Sequence, residues 1–355
     1  MNDRSVLGEK QMWNLIKALP GCGQKPVAAP PVMRHPVTGA TACTPAVVLE
    51  AQVSHTRQLG DHAAYAASNP DFDRSWATHV EEQVRQYALE LSDDVPAADD
   101  PLNGPSTVGE VADALATLQN GKAAGPGNGI PNELLKYGGH AMAKLLLPLF
   151  AAVWAAGGPP AQWTHGVIQY FHKSGSVEDM ANYRGITLLD VVGKLFHKVL
   201  ASRLLRHAEG NGLLHTAQNA FHRGRSNDDH IYCLSQLVKG RQRMQQPTCA
   251  FFLDQRKAYD SVWRDGLLYK LWGGGIRGRM WRYVRCLYSS TPRRVRCGSD
   301  TSGTFLIDLG LAQGDTLSCI LFNLYINDLL PLVDAACPGV PLPQADPAEG
   351  APRPL

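Results

Sequence analysis

Apolar residues return at helical spacing through most of this chain and form short blocks or alternations in only a few places. The clearest case is 182–214, NYRGITLLDVVGKLFHKVLASRLLRHAEGNGLL. It begins extended. Leu188, Val191, Val192, Leu195, Phe196, Val199, Leu200 and Leu204 then recur every three or four residues, which predicts a helix closed by Gly210 and Gly212. Thr107-x-x-Glu110 is a capping-box pattern ahead of another periodic run and predicts a helix at 108–119. The same reasoning predicts helices within 48–92, 132–156, 226–243, 261–290 and 315–334. Strands are predicted at 165–176, running into a turn that carries Lys173, and around 250–254, 293–297 and 304–310. The strands are few and short and alternate irregularly with the helices, so the pattern predicts an α+β fold, not a doubly wound sheet. Pro- and Gly-rich stretches at 20–47 and 93–106 predict irregular connections. A Gly/Pro cluster in NGKAAGPGNGIPNELL (120–135) predicts a flexible connection, and it lacks the Gly-Lys-Ser/Thr ending of a P-loop.

Composition narrows this picture. The chain has 355 residues, 44% hydrophobic and 19% charged, enough for two or three packed units of a globular protein. The net charge of +2 hides an asymmetry. Residues 1–162 carry 11 Lys/Arg against 16 Asp/Glu (−5), residues 163–300 carry 22 against 10 (+12), and residues 301–355 carry 1 against 6 (−5). The middle block has the charge of a polyanion binder or, more plainly, a solvated basic surface. None of the eight cysteines forms a C-x-x-C pair, and no His cluster stands at zinc-finger spacing, so they read as reduced thiols of an intracellular protein. The start, MNDRSVLGEKQMW, is not a signal peptide, and the apolar run at 145–158 is expected to be too short to span a bilayer.

Three places carry candidate chemistry. In CAFFLDQRKAYD (249–260) an apolar run ends in Asp254. A carboxylate at the end of a buried strand must pair with a cation or bind a metal. Two readings stand, an ion pair with Arg256 or Lys257, or a Mg²⁺ ligand. Tyr259 follows past a turn, where a rigid aromatic could exclude a ribose 2′-OH; Asp260 reads as the N-cap of the helix begun by SVWRDGLLYKLW. In GLAQGDTLSCILF (310–322), Gly310, Gln313 and Gly314 stand just before a helix. Glycine permits close backbone approach to a flat ligand, and Gln313 can bond a sugar or a base edge; an ordinary strand-to-helix turn is the alternative. Lys173 and Arg184 flank a turn, as two surface charges or as a fork and a point charge on a triphosphate.

Taken in order, the blocks GKAAGPGNGIPNELLKYGG, HKSGSVEDMANYRGITLLDVVGKLFHKVLASRL, QNAFHRGRSNDDHIYCLSQL, FFLDQRKAYDSVWRDGLLYKL and GLAQGDTLSCILFNLYINDL resemble the reverse transcriptase domain of non-LTR retrotransposons, over about 107–330. The resemblance implies a right-hand fold with fingers and palm. The expected parts are a helical or linker segment at 1–106, fingers and the start of the palm at 107–248, palm at 249–335 and an irregular tail at 336–355. It implies Asp254 as the first palm carboxylate and Mg²⁺ ligand, and Tyr259 as the aromatic that gates against ribonucleotides. By it Gln313 and Gly314 face template and incoming nucleotide, and Lys173 and Arg184 lie near the triphosphate. RNA template, DNA primer and dNTP are the implied partners, in a nuclear or cytoplasmic setting.

The chain also departs from that pattern. It contains no aromatic-Ala-Asp-Asp tetrapeptide, and after Asp328 its only acids are Asp334, Asp346 and Glu349. Residues 338–355, PGVPLPQADPAEGAPRPL, show no strand pattern. The expectation is an incomplete palm without a thumb, a metal pair short of ligands and defective nucleotidyl transfer. The alternative is a catalytically inactive nucleic-acid-binding remnant. A strand at 250–254 without its hairpin neighbour would present an open edge, so marginal stability is expected.

Overall fold

Residues 32–91, 100–126, 129–222, 224–336 and 339 are described in a computed structural model of the chain. Two compact units emerge. Met1–Leu213 with Lys257–Tyr325 make the first, and Leu214–Arg256 with Ile326–Leu355 the second. The tail from 340 onward and the first 31 residues lie outside the described residues.

The first unit begins with a hairpin, β1 (Met33–Arg34) and β2 (Thr41–Ala42), inside a stretch predicted to be irregular. Tertiary packing overrides the local composition there. Met33 and Ala42 are fully buried with Val48, Ala51, Met180 and Cys297. Helices α1 (Pro45–Leu59), α2 (His62–Ser68) and α3 (Arg74–Glu90) follow. Asp61 and Asp73 cap the latter two, so the single predicted helical stretch is divided by its own N-cap residues. Helix α4 (Val108–Ala116) carries the predicted capping box, with Thr107 and Glu110 each bonded to the other's backbone amide. Helices α5 (Asn132–Tyr137) and α6 (Gly139–Ala156) come next, then the short α7 (Ala161–Thr164).

A five-stranded sheet forms the spine. β3 (Gly166–His172) pairs antiparallel with β4 (Tyr183–Leu188), and parallel with β5 (Thr291–Cys297). β6 (Asp300–Thr301) and β7 (Phe305–Ile307) both pair with β5. Helix α8 (Val191–Gly210) packs Leu195, Phe196, Val199, Leu200 and Leu204 fully into the core, as its periodicity predicts. Phe196 meets Phe150, Trp154 and Trp163 there. Helices α10 (Arg264–Gly273), α11 (Gly278–Ser289) and α12 (Thr316–Ile326) complete the unit.

The second unit holds α9 (Asn227–Arg243) and α13 (Leu329–Ala336). Asn327 ties its segments together, accepting from the His215 amide at 2.7 Å and from Gln218 Nε2 at 3.1 Å. The predicted strand at 250–254 does not form. Residues 249–255 are irregular, and Phe251, Phe252 and Leu253 are 89, 78 and 69% exposed. A strand is stable only when a neighbour completes its hydrogen-bond ladder, and among the described residues none pairs with this segment.

Two helical stretches, Gly139–Ala156 and Thr316–Ala336, are long and apolar enough to cross a membrane by length and composition. A buried core helix passes the same test, and the second stretch is α12 and α13 with a break between them. Helix α6 buries Ala143, Leu146, Phe150, Val153 and Trp154 in the protein's own core.

Candidate active site

One cavity of the first unit gathers residues far apart in sequence. Its walls include Lys173 beyond β3, Arg184 on β4, Lys257 and Asp260, and the loop from Leu309 to Gln313. Its volume is about 100 Å³.

Pairing of β3 with β4 brings the two predicted cations to one end of the hairpin. His172 stands opposite Tyr183 and Phe171 opposite Arg184. The Lys173 amide donates to the Asn182 carbonyl at 2.8 Å, and Gly175 turns the chain at φ +85°, where a Cβ would strike the Asn182 side chain. Both cationic side chains are exposed.

The loop from Leu309 to Gly314 is bonded on both sides. The Gly310 amide donates to Val262 O at 2.9 Å and the Leu311 amide to Tyr259 O at 2.8 Å. On the other side, the Thr187 amide donates to Gln313 O at 2.7 Å. Gly310 (φ +82°) and Gly314 (φ +115°) adopt backbone that L side chains avoid, and a Cβ on either would come within 2.7 Å of a carbonyl, of Asp260 and Thr187 respectively. Arg264 pins the same loop. Its guanidinium donates to the carbonyls of Tyr288, Ile307, Leu309 and Gly310 and to Thr291 Oγ1, at 2.9–3.1 Å. Burial lowers its pKa to about 10. Immediately after the loop, buried Asp315 bonds His197 Nδ1 at 2.7 Å, and His197 Nε2 meets the Tyr283 hydroxyl at 2.9 Å.

The cavity's titrating groups oppose one another. Burial pushes Asp260 up to about 6, against the pull of Lys257 and Lys173. Burial lowers Lys257, while Asp260 and Asp179 raise it. His55 is lowered to about 4, by burial first and by Lys257 second. Burial raises the phenol of Tyr170, which meets Thr56 Oγ1 at 2.8 Å.

The structure thus brings Lys173, Arg184 and Gln313 to one cavity, with the Gly314 backbone packed against the end of β4. Tyr259 stacks on Phe322 at 4.9 Å. Burial raises its pKa, and its hydroxyl engages the Cys319 thiol. Asp254 belongs to the second unit and is exposed on irregular backbone, with no ion pair to Arg256. Asp260 is not a helix N-cap. The turn continues to Trp263, which takes the position before α10, and Asp260 faces the cavity instead. Lys257, with φ +52°, and Arg264 were not legible as site residues. The proximity of Lys257 and Asp260 to Tyr259 was the available signal; for Arg264 there was none, because its acceptors are scattered over 288–310. Among the described residues no group of three or more His, Cys, Asp or Glu could hold a metal ion, so the side chains present do not fit the implied two-ion site.

Residues 171–343 match the family described as reverse transcriptase (RNA-dependent DNA polymerase). Over 264 residues, 72% of this chain, the sequence is 26% identical to the probable RNA-directed DNA polymerase from transposon X-element of Drosophila melanogaster, covering 29% of that protein. It is 29% identical over 172 residues (48% of this chain, 24% of the relative) to the retrovirus-related Pol polyprotein from type-1 retrotransposable element R2 of Popillia japonica. Over 224 residues it is 24% identical to the RNA-directed DNA polymerase from mobile element jockey of D. melanogaster, covering 63% of this chain and 24% of that one. The chain therefore spans between 24 and 29% of the length of these curated relatives.

Proposed function

Because this chain belongs to the reverse transcriptase family of non-LTR retroelements, we propose that its first unit binds the triphosphate of an incoming nucleotide for RNA-directed DNA synthesis. The observation that carries the reading is that Lys173, Arg184 and Gln313 line the same cavity. Lys173 supplies a mobile point charge and Arg184 a planar fork for phosphate oxygens. The Gln313–Gly314 backbone, held against β4, faces template and new base pair. Tyr259 gates the sugar. In this reading 107–248 are fingers with the start of the palm and 249–335 are palm.

The family implies an RNA template, nucleotide substrates and divalent metal ions. We infer that Asp254 is one Mg²⁺ ligand, which no cluster of carboxylates joins among the described residues. The chain alone is then defective in nucleotidyl transfer. Two measurements test this. Lys173→Ala and Arg184→Ala should each weaken dNTP binding about tenfold, as loss of a charge-assisted bond does. Unchanged affinity in both overturns the triphosphate assignment. Primer extension on an RNA template with Mg²⁺ should give no product from the chain or from Asp254→Asn. Product from the first but not the second would show that the carboxylate set is complete.

A second reading, nucleic-acid binding without chemistry, has its own support. Residues 266–299 contain no Asp or Glu and eight Lys/Arg. Helix α11 buries Met280, Trp281, Tyr283, Val284, Leu287 and Tyr288, which turns Arg279, Arg282 and Arg285 toward its outer side. RNA binding through this face should weaken steeply with salt, and Arg279→Gln should reduce the log–log salt slope by about one. Salt-insensitive binding removes the reading.

A further inference from the structure

A segment more than 100 residues ahead of the family match also reaches the candidate site. Helix α1 and the residue after it, Gly60, form one wall of the cavity through His55, Thr56, Leu59 and Gly60. The Gly60 carbonyl accepts from the amides of Asp308 at 2.9 Å and Leu309 at 3.1 Å. The next residues reinforce the junction, since the His62 amide donates to Asp308 Oδ1 at 2.9 Å. Arg57 lies over the ring of Phe305 at 5.1 Å. Thr56 Oγ1 meets the Tyr170 hydroxyl on the cavity's other wall at 2.8 Å. Residues 56–62 are thereby bonded to both the β3 wall and the segment that leads into Gln313.

We propose that Thr56 and Gly60 are positioning residues of the candidate site, holding Tyr170 and the start of the 308–314 loop in the arrangement that receives a nucleotide triphosphate. This rests on the triphosphate reading above. Residues 45–62 are accordingly a working part of the site, although the family match begins only at residue 171.

Gly60 offers a clean test. Its φ of −93° suits any L residue, so substitution adds a methyl group without backbone strain. That methyl would come 2.5 Å from Ile307 Cγ2 and 2.6 Å from Ile307 Cβ, forcing Ile307 and the adjoining Asp308 to move. In the full chain, Gly60→Ala should accelerate hydrogen exchange at the Asp308 and Leu309 amides and weaken dNTP binding, each by about tenfold, the worth of one or two hydrogen bonds. At Thr56, Val should weaken dNTP binding and Ser, which keeps the hydroxyl, should not.

Faster exchange at 308–309 with unchanged dNTP affinity overturns the positioning role, as does equal weakening of dNTP binding in Thr56→Val and Thr56→Ser. If the unaltered chain binds no dNTP, the triphosphate reading fails and the proposal with it. Unchanged exchange in Gly60→Ala overturns the anchor itself, whatever the nucleotide result, so the two failures are told apart.

Discussion

Helices α8 and α9 look alike in sequence, each with apolar residues at helical spacing, yet α8 buries twelve of its twenty residues and α9 none of its seventeen. Ile231 and Tyr232 of α9 are 62 and 65% exposed, while Leu195, Leu200 and Leu204 of α8 are fully buried. The two apolar strand candidates divide the same way. Around Val295 a strand forms because β3, β6 and β7 supply hydrogen-bonding neighbours. Around Phe252 no partner is found among the described residues, and no strand forms. Periodicity specifies the element a segment can form. Burial depends on whether complementary surface is present, and in this chain that distinguishes the first unit from the second.

The most severe way to test the contrast is at Arg264. Replacing it with Met removes the guanidinium donor from the carbonyls of Tyr288, Leu309 and Gly310, which lie buried beside the cavity, and stability should fall by about 3 kcal/mol or more. Urea unfolding followed by tryptophan fluorescence measures it. A loss under about 1 kcal/mol would mean that water reaches these carbonyls.

The next comparison is between matched leucines. Leu200→Ala in α8 should cost about 2–5 kcal/mol through lost transfer energy and the cavity left behind. Leu234→Ala in α9, 42% exposed, should cost about 0.5 kcal/mol or less by the same unfolding measurement. Equal costs would erase the distinction between the units.

The smallest effect is a pH dependence of two signs within the first unit. Burial works to raise Glu110, but bonds from Arg203 and Thr107 outweigh it and hold the carboxyl at about 2. The stability it contributes is present above its unfolded value of 4.5 and is lost as pH falls through about 2. Glu110→Gln should remove roughly 1 kcal/mol at pH 7, allowing for solvent screening, and nothing at pH 1.5. Asp260 acts oppositely. With its pKa raised to about 6, its contribution is lost as pH rises from 3.8 through 6, so Asp260→Asn should stabilise the protein by about 1 kcal/mol at pH 8 and leave it unchanged near pH 3. Unfolding midpoints across pH read both; parallel profiles for the two variants would contradict the assigned signs.

Much of the local structure was legible. The Thr107–Glu110 capping box, the apolar stripe of α8 and the strand at β3 are properties of contiguous residues, and they form as read. What escaped depends on distant partners. Met33 and Ala42 lie in a stretch that reads as irregular, and their core is completed by Val48, Ala51 and the distant Met180 and Cys297. Asp260 has the position of an N-cap, but its neighbours across the cavity, Lys173 and Gly310, draw it elsewhere. The apolar run before Asp254 reads as a buried strand because nothing within it reports the absence of a ladder partner among the described residues. Arg264 is silent in the sequence for a similar reason, since an arginine in an amphipathic helix is ordinarily a surface charge.

The bond between Gly60 and the amides of Asp308 and Leu309 also sets a timetable for synthesis. A chain emerging from the ribosome at about 5–20 residues per second needs roughly 12–50 s to travel from residue 60 to residue 309. Throughout that interval helix α1 has its cavity-facing side and the Gly60 carbonyl without their final partners. Early folding of this unit is therefore provisional, and its closing step must wait for a segment made some 250 residues later, a delay during which exposed apolar surface is open to chaperones and to aggregation.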